Sequence, residues 1–268
     1  MGSGDCTKYT IYMTNSMYLY AIIVFLVGLG VGSFLNVVIF RLDDLKSLVK
    51  ERSVCRKCRK TILWYDLIPL LSFVLLKGKC RNCSNEISWQ YPIVELLIGL
   101  LALLVFAYFG LSFQALYYFI IFVLLAVVFV VDFKTQMVPE EFVWAALAIT
   151  ALGSWYFGGF GVLNMVYGGL TGGLVPAFLV IVSKEKWMGV GDIKIGLLLG
   201  LLVGFPAAIL MIFLSFILGS IVGLTAIVLK SKKLKDSLPF APFLISAGLI
   251  TLFWGRLVIN WYLGNFFY

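Results

Sequence analysis

The sequence predicts an all-α polytopic membrane protein of about eight transmembrane helices, with a small zinc-binding cytoplasmic domain between the first helix and the second. Three observations predict it. Of 268 residues, 62% are hydrophobic and only 13% charged, whereas soluble globular chains are about 45–50% apolar. The apolar residues gather into successive runs near the ~20 residues that a bilayer-spanning helix needs. One extended polar stretch, 41–90, interrupts them and holds four of the five cysteines.

A polar tail, 1–17, is expected outside the membrane. The first run, 18–40, is too long for the core of a signal peptide and lacks a small-residue cleavage pattern, so it reads as a retained transmembrane helix. The segment 41–91 follows as the one extramembrane domain; its apolar patch, 67–76, is interrupted by Pro69 and is too short to span. The remainder, 92–268, reads as a core of seven helices. Runs at 92–109, 114–131, 142–157 and 163–182 are separated by glycine-containing turns or short charged loops. The stretch 195–229 has no charge and is too long for one ordinary span, so Gly204-Phe205-Pro206 divides it. The first half is then short, ~20 Å against a hydrocarbon core of ~30 Å. Asp192, at its start, therefore lies near or below the lipid surface. A last run, 240–262, is crowded with aromatics at its end.

The charge is uneven, with 21 Lys and Arg against 13 Asp and Glu. In a membrane chain this excess reads first as topology rather than as a nucleic-acid surface. With eight spans, alternate loops collect Arg41, Lys46, Lys50, Arg52, Arg56, Lys57, Arg59, Lys60, Lys77, Lys79 and Arg81, then Lys134, then Lys184, Lys186 and Lys194, then Lys230, Lys232, Lys233 and Lys235. Only Lys8 and Arg256 lie elsewhere. Both termini are thus expected outside and the cysteine domain in the cytoplasm. The absence of histidine excludes His-based triads, His-ligated zinc and imidazole acid/base chemistry, leaving carboxylates, thiols and lysines.

Cys55-x2-Cys58 and Cys80-x2-Cys83 are two thiolate hooks with twenty-one residues between them. Four such sulfurs form a closed tetrahedral Zn2+ site, which has a structural rather than a water-activating role. Two disulfides are the competing reading and suit an oxidising compartment, not a cytosolic loop. Cys6 is the odd thiol and has no expected catalytic part.

Only Glu95, Asp132 and Asp192 among the acidic groups abut or enter predicted helices. Burial of a carboxylate in a bilayer costs roughly 2.5–3.5 kcal/mol on insertion scales, which makes each a functional candidate. Asp132 and Asp192 come from different helices at one depth and could share a proton, so that one acts as base and the other as acid on a peptide carbonyl. Gly189 and Gly191 before Asp192 are expected to leave backbone exposed and to permit φ > 0, so that an extended substrate can lie against the turn. Blander readings exist for each acid. Asp192 could cap its helix, Asp132 could be a solvated interfacial charge, and Glu95 could answer the helix dipole after Pro92. Lys194 could pair with Asp192 or snorkel. The tail also carries Gly2-Ser3-Gly4-Asp5, so the Gly-x-Gly-Asp pattern is weak by itself. A proton- or cation-coupled transporter with the aspartates as a relay is the rival from another class, but no inverted repeat supports it.

Taken together, these segments resemble the bacterial type IV prepilin peptidases, membrane aspartyl proteases with a Gly-x-Gly-Asp motif. The likeness rests on Gly32-Ser33-Phe34-Leu35-Asn36-Val37-Val38-Ile39-Phe40-Arg41-Leu42, on the paired cysteine hooks, and on Tyr65-Asp66-Leu67-Ile68-Pro69. It continues through Ile87-Ser88-Trp89-Gln90-Tyr91-Pro92-Ile93-Val94-Glu95, Asp132-Phe133-Lys134-Thr135-Gln136-Met137-Val138-Pro139, Met188-Gly189-Val190-Gly191-Asp192-Ile193-Lys194 and Pro239-Phe240-Ala241-Pro242-Phe243. Val138, Glu140 and Ala241 depart mildly from the family pattern. The resemblance implies catalysis by Asp132 and Asp192, with Gly189, Gly191, Lys194 and Pro139 at the substrate. The substrate implied is a type IV prepilin or pseudopilin, cut after the glycine that ends its basic leader, at the cytoplasmic face of the bacterial inner membrane. It also implies transfer of a methyl group from S-adenosylmethionine to the new amino terminus. Asn36, Arg41 and Glu95, at the junctions of the first two membrane helices with the cysteine domain, are the expected contacts of that donor.

Overall fold

A computed structural model describes residues 15–42, 53–159, 161–229 and 238–266. Cys6, Lys8 and most of the N-terminal tail lie outside the described residues, as do the cations of 43–52 and 230–237 on which the orientation of the spans partly rests.

The described residues form nine α-helices: α1 Asn15–Phe40, α2 Leu71–Leu75, α3 Gln90–Phe109, α4 Phe113–Thr135, α5 Glu140–Phe157, α6 Val162–Ser183, α7 Val190–Val203, α8 Ala207–Val228 and α9 Ala241–Phe266. All but α2 stand where the apolar runs place spans. Six of them, α1, α3, α4, α6, α8 and α9, are long and apolar enough to cross a membrane. Eight helices thus stand where eight spans are expected, and six of them meet that measure. Helix α5 opens on Glu140 and Glu141, and α7 has only 14 residues, ~21 Å of helix. The break inside 195–229 falls as expected, with Gly204 at φ +72° ending α7 and Pro206 preceding α8. Among the described residues, β structure is limited to two isolated bridges, Val54 to Thr61 and Lys79 to Glu86.

Contacts divide the chain into two units, Met1–Ala115 and Leu116–Tyr268. The sequence grouped the helix of 92–109 with the aspartate-bearing helices; in the structure α3 packs on α1. Glycine is the reason. A Cβ on Gly28 would stand 2.8 Å from the Ala102 Cβ, and one on Gly32 would stand 2.8 Å from the Glu95 Cα. Their lack of side chains lets the two backbones close, the usual basis of helix association in lipid. Asn36 continues the same stripe one turn on.

In the second unit α7 is the central element, packed by α5, α6, α8 and α9. Its Ile195, Leu198 and Leu199 are completely buried. Gly168 and Gly172 of α6 meet Gly200 and Gly196 of α7 so closely that a Cβ on any of the four would run into a carbonyl oxygen of the other helix. Helix α4 is held by side chains. The Tyr117 hydroxyl bonds Ser154 Oγ at 2.9 Å on α5, and the Phe122 ring stacks on Phe253 of α9 at 6.4 Å between centroids.

Candidate active site and metal centre

Asp132 occupies the last turn of α4 and Asp192 the first turn of α7. Both are buried, 5% and 6% exposed, and the charge of Asp132 acts on Asp192. Each carboxylate is oriented by backbone at the start of a helix. The Gly189 N–H donates to Asp192 Oδ2 at 3.1 Å, while the Asp192 N–H donates back to the Gly189 carbonyl at 3.1 Å. The Ala241 N–H, at the start of α9, donates to the Asp132 carboxylate. Asp132 Oδ2 is buried without a partner among the described residues. A buried oxygen with an unused lone pair is costly as mere structure and suited to a reacting water.

Two expectations about the neighbours change. Gly191 does not adopt φ > 0 and Gly189 sits at φ −87°; left-handed backbone is not what makes this turn glycine-rich. Gly191 is required by packing, because a Cβ there would stand 2.6 Å from Val138 Cγ2. Gly189 is exposed, and a Cβ there would meet nothing nearer than the Gly191 N at 4.0 Å. Lys194 does not pair with Asp192. Its Nζ donates to Glu140 Oε1 at 2.7 Å and lies 5.2 Å from the Trp144 ring, tying α7 to the start of α5. Pro139 precedes α5 in an extended conformation and is half-buried. Val138 and Ala241 are the neighbours that residue-type reasoning passes over. Their only sequence signal is membership of the short segments after Asp132 and before α9.

In the first unit the four cysteines meet, all four Sγ atoms lying within 4.8 Å of one another. Two matching turns bring them there. Cys55 N–H donates to the Lys60 carbonyl and Arg59 N–H to that of Cys55, as Cys80 N–H does to Asn85 and Ser84 N–H to Cys80. Arg59 and Ser84 both sit at positive φ, 56° and 52°. The turns aim N–H groups at the sulfurs. The Cys58 and Lys57 backbone N–H groups hold the Cys55 thiol down to about 6. The Asn85 N–H pulls Cys83 the same way, but burial and the neighbouring thiols outweigh it and push Cys83 up to about 11. One thiol ionises readily and another resists, as expected of sulfurs whose charges would repel without a cation between them. The set can hold a metal ion.

Of the residues expected at the methyl donor, Glu95 ties the domain to α3, whereas Asn36 joins α1 to α3. Asn36 is completely buried; its Nδ2 donates to the carbonyls of Gly32 (3.3 Å) and Tyr91 (3.2 Å), and its Oδ1 accepts from Gln90 Nε2 (3.2 Å). Glu95, also buried, accepts the Leu70 N–H at 2.9 Å and the Ser33 hydroxyl. Arg41 is half-buried just past the end of α1. Its neighbour Phe40 lies under the Arg56 guanidinium, 3.7 Å from the ring centroid, and against Tyr91. Within the domain, Arg81 makes a two-pronged ion pair with Asp66 at 2.6 and 2.9 Å. That guanidinium holds the Asp66 carboxyl below the usual carboxylate range.

Comparison with known proteins gives consistent matches. Residues 26–109 match the bacterial peptidase A24 N-terminal domain, and residues 117–224 match the type IV leader peptidase family. The chain is 33% identical over 279 residues to a prepilin leader peptidase/N-methyltransferase of Aeromonas salmonicida, covering 92% of this chain and 95% of that protein. Proteins of the same name from Bacillus subtilis and Pseudomonas aeruginosa are each 30% identical, covering 90% and 94% of this chain and 97% and 96% of their own lengths. No solved structure matches it significantly.

Proposed function

We infer the activity of this chain from one premise: it belongs to the prepilin leader peptidase/N-methyltransferase family, matched along nearly its whole length. It is a multi-pass membrane peptidase that removes the leader of type IV prepilins or pseudopilins and methylates the new amino terminus. The observation that carries the catalytic assignment is the pair of buried aspartates, each anchored by a helix-terminal N–H, with Asp132 Oδ2 left for a water. We assign Asp132 to the water. As the water oxygen bonds to the scissile carbonyl carbon, its proton passes to the ionised Asp132. Protonated Asp192 donates to the carbonyl oxygen, and collapse of the tetrahedral adduct breaks the C–N bond as the dyad returns a proton to the departing amine. Gly189, exposed and without a side chain, leaves room for a substrate to approach Asp192, and Pro139 and Lys194 lie on the neighbouring segments. A transporter relay has less support, since both acids sit at helix ends and the family is one of peptidases.

Orientation follows the loop cations, which put the cysteine domain and the aspartates at the cytoplasmic face of the inner membrane. There a basic leader meets acidic groups while the apolar prepilin segment stays in lipid. The metal is assigned as Zn2+. Tetrahedral zinc at ~2.3 Å from each sulfur separates the sulfurs by ~3.8 Å, and Cys55 Sγ lies 3.8 Å from Cys83 Sγ. Cys55, Cys58, Cys80 and Cys83 fill its coordination sphere, so they fold the loop and activate no water. When bound, S-adenosylmethionine would supply an electrophilic methyl group for the new amine, with S-adenosylhomocysteine and a proton as the other products. Asn36 and Glu95 spend their polar atoms inside the protein, so we assign Asn36 to joining α1 to α3 and Glu95 to positioning the domain, rather than to touching the donor. Incubation of the purified protein with a synthetic prepilin, followed by intact mass, tests the whole reading. Leader loss and a ~14 Da gain are expected, and an unchanged substrate with folded protein would overturn it.

A further inference from the structure

Beside the second cysteine turn lies a cleft of about 540 Å³, lined among others by Leu70, Phe73, Lys77, Lys79, Glu86 and Trp89. That volume lies within the ~300–1,000 Å³ of small-molecule sites. One wall is aromatic, with the Phe73 and Trp89 rings 5.0 Å apart between centroids. Trp89 is 70% exposed at the foot of α3, so its ring is open to a ligand. The floor is charged in both signs. Lys79 and Glu86 face each other across a bridge beside Cys80, and Lys77 stands one turn away. No ion pair engages these three among the described residues. Leu70 holds φ +60°, ψ −47°, a conformation rare for a leucine and typical of binding sites. The buried Glu95 carboxylate holds it there.

We propose that this cleft is the site of S-adenosylmethionine, with the adenine ring on Phe73 and Trp89, the ribose hydroxyls on Glu86 and the methionine carboxylate on Lys77 and Lys79. The assignment rests on the methyltransferase reading above. Each part of the donor meets its chemical complement: a flat π-system meets rings, a vicinal diol meets a carboxylate, an anion meets ammonium groups, and a sulfonium meets the face of an indole. Glu95 and Asn36 are then positioning residues, acting through Leu70 and through the start of α3. The cysteine centre is one too, because Lys79 and Glu86 flank its second turn.

The test uses the full-length, metal-loaded protein in detergent, titrated calorimetrically with S-adenosylhomocysteine. Trp89→Ala and Glu86→Ala should each weaken binding about tenfold or more, and Trp89→Phe should restore most of it. Leader cleavage and metal content, which use none of these side chains, should stay at parental values and report an intact fold. Ultraviolet cross-linking of methyl-labelled S-adenosylmethionine should place the label between residues 70 and 92. A label elsewhere, or unchanged affinity in both variants, overturns the site while leaving the methyltransferase reading standing. A raised KM for prepilin in Trp89→Ala with unchanged nucleoside affinity would make the cleft a peptide site and overturn it as well. A parent protein that cleaves prepilin but binds no S-adenosylhomocysteine removes the methyltransferase reading and the cleft assignment together.

Discussion

The cysteine domain and the aspartate-bearing helices solve one problem, holding a few polar side chains in place, by opposite means. The segment 53–89 has almost no core: neither its 3-10 turn at Trp64–Leu67 nor α2 buries a single residue. Four sulfurs, an ion pair and side-chain ties to α1 and α3 do the work that a core would do, as expected of a domain too small to bury enough apolar surface. The aspartates lie sixty residues apart on helices whose packing places them, with α7 wedged among four others and pressed on α6 glycine to glycine. A site held by a metal should fail when the metal leaves. One held by packing should fail when volume is added.

The sharpest break concerns the aspartates. Asp132→Asn and Asp192→Asn should each lower leader cleavage on the order of 10³-fold or more without changing the melting temperature, since an amide cannot exchange the proton. Near-parental cleavage by either would remove the dyad from the chemistry. Next comes volume. Gly172→Val and Gly200→Val should cost about 3 kcal/mol or more by forcing α6 off α7, and cleavage should fall with the fraction folded. Gly30→Ala, facing open space on α1, is the matched control and should melt like the parent. If all three melt alike, the glycine contact is not what places α7.

Removing the metal should act on the other region. Cys58→Ser, or a strong chelator, should take metal content from one ion per chain to none and open 53–89 to proteases. Cleavage should fall less than about tenfold, while methyl transfer is lost. Cys6→Ser should change none of these. Elemental analysis of reduced protein that finds no metal would void the contrast. The smallest effect belongs to Asp66→Asn. Because Arg81 holds the Asp66 carboxyl below its usual range, its contribution to stability is present above the unfolded carboxylate value, about pH 4, and is lost as pH falls through the folded value. The variant should melt slightly below the parent at pH 7 and the gap should close under acid. A constant gap would mean that the pair adds nothing.

Apolar run length located eight helices, and a Gly-Phe-Pro triplet located the break between α7 and α8, because helix formation in lipid depends on local composition. Cysteine spacing identified the four thiols that come together for a similar reason, since each hook is a turn of four residues. Partner choice was not legible. Lys194 lies two residues from Asp192 yet bonds Glu140, fifty-four positions away, because the helix turns its side chain toward α5. Gly191 looked like a conformational hinge and is a packing contact with Val138. Helix α3, grouped by sequence with the aspartate-bearing helices, packs on α1.

By itself, then, the amino-acid order determined what depends on neighbours in the chain: which segments are helical, where they stop, which cysteines act together, and that two aspartates stand at helix ends. Only the tertiary structure decided which backbone N–H orients each carboxylate, that Asp132 keeps an oxygen free, and that Asn36 and Glu95 turn inward, the one to join two helices and the other to hold a domain. Those outcomes depend on which helix faces meet and at what distance. A glycine that admits a neighbouring backbone reads in sequence like any other glycine, until the helix it admits is known.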